Sequence, residues 1–494
     1  MKVLLVYPKF PTTYWSFEYA LRFLGKKASL PPLGMITVAA LLPSEWKLRL
    51  VDMNVRRLKE SDLLWADTVM IGAMVVQEES IRSVIARART HGKTIIAGGP
   101  AFTCEPDKYP EVDHLILGEG ERSLPPFLAD LARGEPKRRY DADSYPSMSE
   151  VPNPRWDLLE THKYASMSVQ FSRGCPFNCD FCNVTALFGH KPRIKSTAQI
   201  LEELDSLWDL GWRNSVFFVD DNFIGNRRFL KKSLLPALIE WQKGKRRGLQ
   251  FFTEASIDLA DDTELMEMMS QAGFCTVFVG LETPSTEALE DCNKKQNLGR
   301  DLVSDVQKIQ RAGLQVQGGF IVGFDSDNHS IFQRQHDFIQ KSGVVTAMIG
   351  ILQAPVGTAL HARMKKEGRL VGESGGNNTS VATNIIPRMH LDHLVEGYRE
   401  MVKSLYQPRI YYARVRTFLE EFKGPTVKEV ISRHKIRACA ASTVRLGILG
   451  RERLHYWKLL TWVTFRKFHL LPTAISLTIM GYHFRKISSD IYRK

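Results

Sequence analysis

Between Gln170 and Pro192 the chain reads QFSRGCPFNCDFCNVTALFGHKP, a stretch that holds three of its seven cysteines, Cys175, Cys179 and Cys182, spaced C-x3-C-x2-C. Three is odd, so disulfides leave one thiol over. The chain also opens MKVLLVYPKFPTT, a short apolar run before prolines that reads as a strand rather than a secretory leader. A zinc site wants four ligands, and His190 is the only nearby candidate for the fourth. A [4Fe–4S] cluster needs only three thiolates, which leaves one iron open for a ligand. By residue type the cluster fits better, with zinc as the rival.

Around this stretch strand and helix patterns alternate. SMSVQFSRG (166–174), VFFVDD (216–221), LQFFTEAS (249–256), CTVFVGLET (275–283), LQVQGGFIVGF (314–324) and VTAMIGILQAP (345–355) read as strands. Helices are expected over 198–210, 228–243, 262–272, 300–312 and 329–342. Six such units predict a partial (β/α)6 barrel over residues 166–388, with its site at the C-terminal ends of the strands. That rule selects Asp220, Asp221 and Asn222 after the second strand, Glu254 and Ser256 after the third, and Glu282 after the fourth. Any one of them could be a surface or capping residue; the set at successive strand ends points to a site.

Upstream, residues 2–8, 47–54, 66–75, 94–100 and 112–121 read as strands separated by helices at 30–43 and 79–92. This spacing predicts a doubly wound parallel sheet over 1–140, with ligands outside the strands' carboxyl ends. The candidate ligand-facing residues are Asp52, Asn54, Met74, Val76, Gln77, Gly98, Gly99, Gly118 and Glu119. A Pro-, Ser- and charge-rich stretch then reads as a linker, 141–165.

The 494 residues suit about three domains of roughly 150 residues each. No run of about 18 apolar residues occurs, so no transmembrane helix is expected. Free thiols and a metal cluster indicate a reducing cytoplasm. The net charge of +13 is uneven: residues 401–494 carry 19 Lys+Arg against 5 Asp+Glu, so the rest is near neutral. Region 389–494 reads as helical, and 451–486 mixes Trp, Tyr, Phe and Leu with Lys and Arg. Such a segment suits an anionic membrane surface, a nucleic acid, or a helical cap packed on the barrel. The aliphatic run LLPTAISLTIM favours lipid over nucleic acid.

The cysteine motif, with Gly174-Cys175-Pro176 and Phe181 before the third cysteine, resembles the signature of the radical S-adenosylmethionine (SAM) superfamily. The resemblance implies a [4Fe–4S] cluster on Cys175, Cys179 and Cys182 that chelates and reduces SAM. It also implies SAM contacts from Phe181, from Asp220, Asp221 and Asn222 near the methionyl amine, and from Glu254 and Ser256 near ribose or carboxylate. Glu282 and the GFIVG stretch ending at Gly323, beside adenine, complete that set. VDMN, AGGP and LGEGE in the first 140 residues resemble a cobalamin-binding domain, the plainer alternative being a flavodoxin-like scaffold. The cobalt-ligating pattern D-x-H-x-x-G is missing, because Asp52-Met53-Asn54-Val55-Arg56 has neither the histidine nor the glycine.

FVDDNFIGNRR (218–228), ALIEWQK (237–243) and FCTVFVGLETP (274–284) carry a closer similarity, to the cobalamin-dependent radical SAM methyltransferases (class B) of the subgroup containing the hopanoid C-2 methylase. That similarity implies hydrogen abstraction from an unactivated carbon by a 5′-deoxyadenosyl radical, then methyl transfer from methylcobalamin. The expected acceptor is a hydrophobic polycyclic or isoprenoid lipid, and the expected electron donor a flavodoxin or ferredoxin. The enzyme would sit in the cytoplasm, peripheral to the inner face of the membrane. The nearest enzyme alternative is a cobalamin-assisted cyclase or oxidase of the tetrapyrrole type. From another class, the alternative is a zinc protein bound to nucleic acid.

Overall fold

The computed structural model describes residues 1–245, 248–427 and 432–493. Strands β1 (Lys2–Tyr7), β2 (Lys47–Asp52), β3 (Thr68–Gly72), β4 (Thr94–Gly98), β5 (His114–Leu117) and β6 (Arg139–Asp141) form one parallel sheet in the order β2-β1-β3-β4-β5-β6. Helices cover both faces, which is why Val3–Val6 is an unbroken buried apolar run rather than an alternating one. β6 is an addition to the five expected strands. Its three residues pair with Leu115–Leu117 at the sheet edge, too short and too polar to show a period.

Strands β7 (Met167–Val169), β8 (Ser172–Arg173), β9 (Arg193–Ile194), β10 (Val216–Phe218), β11 (Phe251–Glu254), β12 (Phe274–Glu282), β13 (Gln315–Val322) and β14 (Thr346–Ile351) follow. β7 and β10 to β14 make a second parallel sheet in strict sequence order, the arrangement expected of a (β/α)6 unit. β8 and β9 form a separate antiparallel ribbon. The intervening helices obey their sequence signals. On Thr197–Asp209, Ser196 caps the first turn by accepting from the Gln199 amide, and Ile200, Leu204 and Leu207 face the core at i, i+4, i+7 spacing.

Helices Leu391–Leu405, Pro408–Glu421, Arg433–Ser442, Arg453–Arg466 and Leu471–Arg493 bury their inner faces in the same core as the second sheet. Arg414 is fully buried there. Its guanidinium reaches the Leu405 carbonyl at 3.2 Å and the Gln340 side chain at 2.5 Å, between the rings of Tyr406 and Tyr411. The aliphatic run read as lipid-seeking proves to be core: Leu470, Ala474, Leu477 and Ile479 are buried in this packing. Among the described residues no helix is long and apolar enough to cross a membrane.

Candidate active site

The chain leaves the second sheet at β7 and enters the cysteine loop through the β8–β9 ribbon, where Ser172 faces Ile194 and Arg173 faces Arg193. Gly174 holds the turn at φ +93°, and a Cβ there would lie 2.9 Å from the Gly189 carbonyl and 3.0 Å from that of Phe188. Only glycine permits so close a return of the loop. Two carboxylates after β10 fasten the entrance. Buried Asp220 accepts from the Phe171 amide at 3.3 Å and from Ser172, whose hydroxyl lies at 2.6 Å; Asp221 accepts from the Gly174 amide at 3.0 Å.

The far side of the loop rests on the segment after β12. The Asn293 side chain, on a residue with φ +56°, donates to the Asn178 carbonyl at 2.7 Å, and the Asp180 amide donates to the Cys292 carbonyl at 3.0 Å. Gln296 reaches the Cys179 sulfur at 3.5 Å. Phe181 packs edge-on against Phe324, with centroids 6.3 Å apart. Buried Lys294 lies over its ring at 5.6 Å and donates to Glu282 at 2.7 Å. Cys179 and Cys182 line a cavity of about 180 Å³ with His190, Thr185, Gly357 and Thr358. Burial pushes the Cys182 thiol up to about 12. Among the described residues no three His, Cys, Asp or Glu side chains converge to hold a single metal ion. A [4Fe–4S] cluster asks only that each thiolate meet its own iron.

Along the inner face of the second sheet the strand ends bring the expected polar residues together. Asn222 and Ser256 pair, side-chain nitrogen to hydroxyl at 3.1 Å. Burial pushes the Glu254 carboxyl up to about 8, with the charges of Asp221 and Asp220 adding to it. Burial likewise raises Asp220 to about 7 and Asp221 to about 6, against hydrogen bonds that pull both down. Three acids crowded in this way favour a cation among them. Glu282 stands apart, at φ +60° and already paired with Lys294. Gly323, at φ +98°, donates its amide to Asp327 at 2.8 Å and packs under Leu394.

At the carboxyl edge of the first sheet, Asp52 accepts from the Asn54 amide at 2.9 Å and the Tyr164 hydroxyl at 2.9 Å. Asn54 in turn accepts from the Phe10 amide, and Gln77 donates to Pro8 and accepts from Met74. These polar side chains therefore shape the strand ends from below. Met74 is exposed above them, and Val76 is partly covered by Gly376. Gly98 and Gly99 are demanded by close backbone approach, a Cβ at Gly99 (φ +91°) lying 3.0 Å from the Ala73 carbonyl, and Gly118 by its φ of +75° against the Ala142 methyl. Glu119 does not line this edge freely. It is buried, with one oxygen 2.5 Å from Arg173 and the other 2.5 Å from Arg193, while Arg173 also holds Glu121 at 2.9 Å. The clamp joins the first sheet to the two-residue ribbon beside Cys175.

Family models match residues 27–128 as a B12 binding domain, 169–339 as the radical SAM superfamily, and 358–494 as a domain of unknown function, DUF4070. An uncharacterized methyltransferase of Synechocystis sp. is 45% identical over 92% of this chain and 86% of its own length. The hopanoid C-2 methylase of Rhodopseudomonas palustris is 35% identical over 92% of this chain and 88% of its own. The chain belongs to the B12-binding radical SAM methyltransferases. The fold agrees. The cobalamin-dependent SAM radical enzyme OxsB, solved with aqua-cobalamin and SAM, superposes with a TM-score of 0.63 at 15% identity, over 100% of this chain and 80% of that one. The radical SAM methyltransferase TsrM of Kitasatospora setae gives 0.60 at 16%, over 76% and 77%.

As a radical SAM enzyme the protein uses a [4Fe–4S] cluster and SAM, and its B12-binding domain takes cobalamin. The donor sets fit: three free thiols on one loop, a carboxylate set suited to a cation, and a glycine-lined strand edge. Both histidines of residues 1–140 lie away from that edge, His91 on Glu60 and His114 at the start of β5, so this domain offers cobalt no histidine. Arg173, Glu121, Lys294, Asn293 and Gln296 are not among the residues that the sequence singles out. The clamp partners stand 52 to 74 positions apart, and no local pattern marks such a pairing.

Proposed function

We propose that this methyltransferase acts on an unactivated carbon of an apolar, ring-bearing lipid. The observation that carries this reading is the interior of the second sheet. Phe217 and Phe252 stack there at 4.7 Å with planes 10° apart, and Phe278 meets Trp15 at 4.9 Å. Phe252 and Glu254 share one face of β11, and Glu254 stands beside Phe278 in register. An aromatic wall of this kind binds flat apolar surface and excludes water, and its edge touches the carboxylate set. The relatives named as hopanoid C-2 and C-3 methylases support the same substrate class.

The reduced cluster with SAM supplies the radical that removes hydrogen, and cobalamin carries the methyl group. We assign Cys175, Cys179 and Cys182 to the cluster, with Phe181 and Lys294 packed against that loop. Glu254, with Asp220 and Asp221 behind it, offers negative charge to the sulfonium and ammonium of SAM. Asn222 offers its amide and Ser256 its hydroxyl to the ribose or carboxylate, and Gly319 and Gly323 bare backbone to adenine. Glu282 serves by holding Lys294, and Glu119 by holding the arginines rather than cobalamin. Asp52, Asn54, Met74, Val76, Gln77, Gly98, Gly99 and Gly118 form the cobalamin-facing edge. A one-electron donor of flavodoxin or ferredoxin type completes the system. The test is incubation of reconstituted protein with methyl-labelled SAM and total lipid extract. Label in an apolar, ring-bearing lipid supports the reading; label confined to water-soluble products overturns it.

A further inference from the structure

Helix Arg453–Arg466 is apolar on two opposite sides. Tyr456, Leu459, Leu460 and Val463 face the core. The other side carries Leu454, Trp457, Thr461, Phe465 and, just beyond the helix, Phe468, at helical spacing and in solvent: Leu454 is 78% exposed, Phe465 84% and Phe468 67%. The preceding helix, Arg433–Ser442 continuing through Thr443–Ile448, packs beside it, with the Trp457 indole donating to the Gly447 carbonyl at 2.9 Å. Its outer side adds Ile436, Val444, Ile448 and Leu449, all exposed. A monomer seldom leaves so many large apolar groups uncovered on neighbouring helices.

Charge chooses the occupant. Arg451, Arg453, Lys458 and Arg466 border the stripe and make no ion pair among the described residues. From residue 432 to 489 the sequence holds a single acid, Glu452, and it is buried on Arg485 at 2.5 Å. The face is therefore apolar at its centre and cationic at its rim, and the two helices that form it expose no carboxylate of their own. We propose that this helical pair, within the DUF4070 region, is a docking surface for an anionic lipid bilayer. Leu454, Phe465 and Phe468 enter the interface, Trp457 sits at its level, and the basic side chains reach the headgroups. The proposal is independent of which substrate is methylated.

The test uses the full-length protein and vesicles of phosphatidylcholine alone, or with phosphatidylglycerol as about a third of the lipid. Cosedimentation should be strong on the anionic vesicles, weak on the neutral ones, and reduced by salt. L454S/F465S/F468S should lower the partition coefficient at least about tenfold, and R451E/K458E should remove the preference for anionic lipid. Both variants should keep the wild-type melting temperature, because the replaced side chains are in solvent. Equal partition of wild type and triple variant, or no partition of wild type, overturns the proposal. So does self-association that the triple variant abolishes, or single-stranded RNA displacing the protein from vesicles with an affinity that the variants share.

Discussion

Replacing Arg173 by Met tests whether the clamp is a buried structural unit. Arg173 joins Glu119 at 2.5 Å and Glu121 at 2.9 Å, and the side chains of Glu121 and Glu119 are only 5% and 3% exposed. Glu119 retains Arg193, but Glu121 has no other ion pair among the described residues. Arg173 at present holds the Glu121 carboxyl below its ordinary value although burial opposes this. Removing one member of a buried pair leaves an uncompensated charge and costs about 3–5 kcal/mol. For a domain of this size that corresponds to a fall in melting temperature on the order of 10 °C. The double variant R173M/E121L should recover most of the loss, since apolar replacement of a whole buried pair is often neutral. Circular-dichroism melts of the anaerobic protein give the stability, and iron per chain after reconstitution reports on the loop that begins one residue later. A loss under about 1 kcal/mol, the worth of an exposed pair, or a double variant no better than the single, would refute the reasoning.

Three further outcomes are expected. Glu254→Gln should stabilise the ligand-free protein at pH 8 and leave it nearly unchanged near pH 4. The folded carboxyl, pushed up to about 8, keeps a proton the unfolded chain releases above about 4.5, so its cost grows across that window; melts at the two pH values check this, and the same variant should bind SAM more weakly. Gly174→Ala should fold but reconstitute with much less iron, because its Cβ meets the Gly189 and Phe188 carbonyls at φ +93°; iron analysis decides. Phe252→Ala should raise the lipid concentration for half-maximal methylation about tenfold, while 5′-deoxyadenosine formation without lipid stays at the wild-type rate.

Most of the fold was legible because buried parallel strands are short apolar runs and their helices carry ordinary signals. Of the six strands of the second sheet, five lie inside their expected spans and β12 begins one residue before its own, at Phe274. VFFVDD (216–221) ends as a strand at Phe218 because Asp220 and Asp221 leave the ladder to bond the cysteine loop. Helix Gly120–Arg133 escaped notice because Pro125 and Pro126 lie inside it, although its N-terminal residues belong to the LGEGE segment. At the site, strand-end position alone selected Asp220, Asp221, Asn222, Glu254, Ser256 and Glu282. Whether such a carboxylate faces the interior, as Glu254 does, or is spent on a neighbour, as Glu282 is on Lys294, depends on contacts between distant segments. The exposed stripe on Arg453–Arg466 was hidden for a related reason. With both sides of the helix apolar, the sequence cannot say which one is covered, and the more aliphatic LLPTAISLTIM packs inward.

The most direct measurement is joint quantification of 5′-deoxyadenosine and S-adenosylhomocysteine from anaerobically reconstituted full-length protein with SAM, reductant and methylcobalamin, without and then with apolar lipid extract. Methyl transfer to a lipid carbon requires that both products form and that both rise together when extract is added. Formation of 5′-deoxyadenosine alone, with no S-adenosylhomocysteine and no response to lipid, would contradict it and leave radical chemistry without methyl transfer.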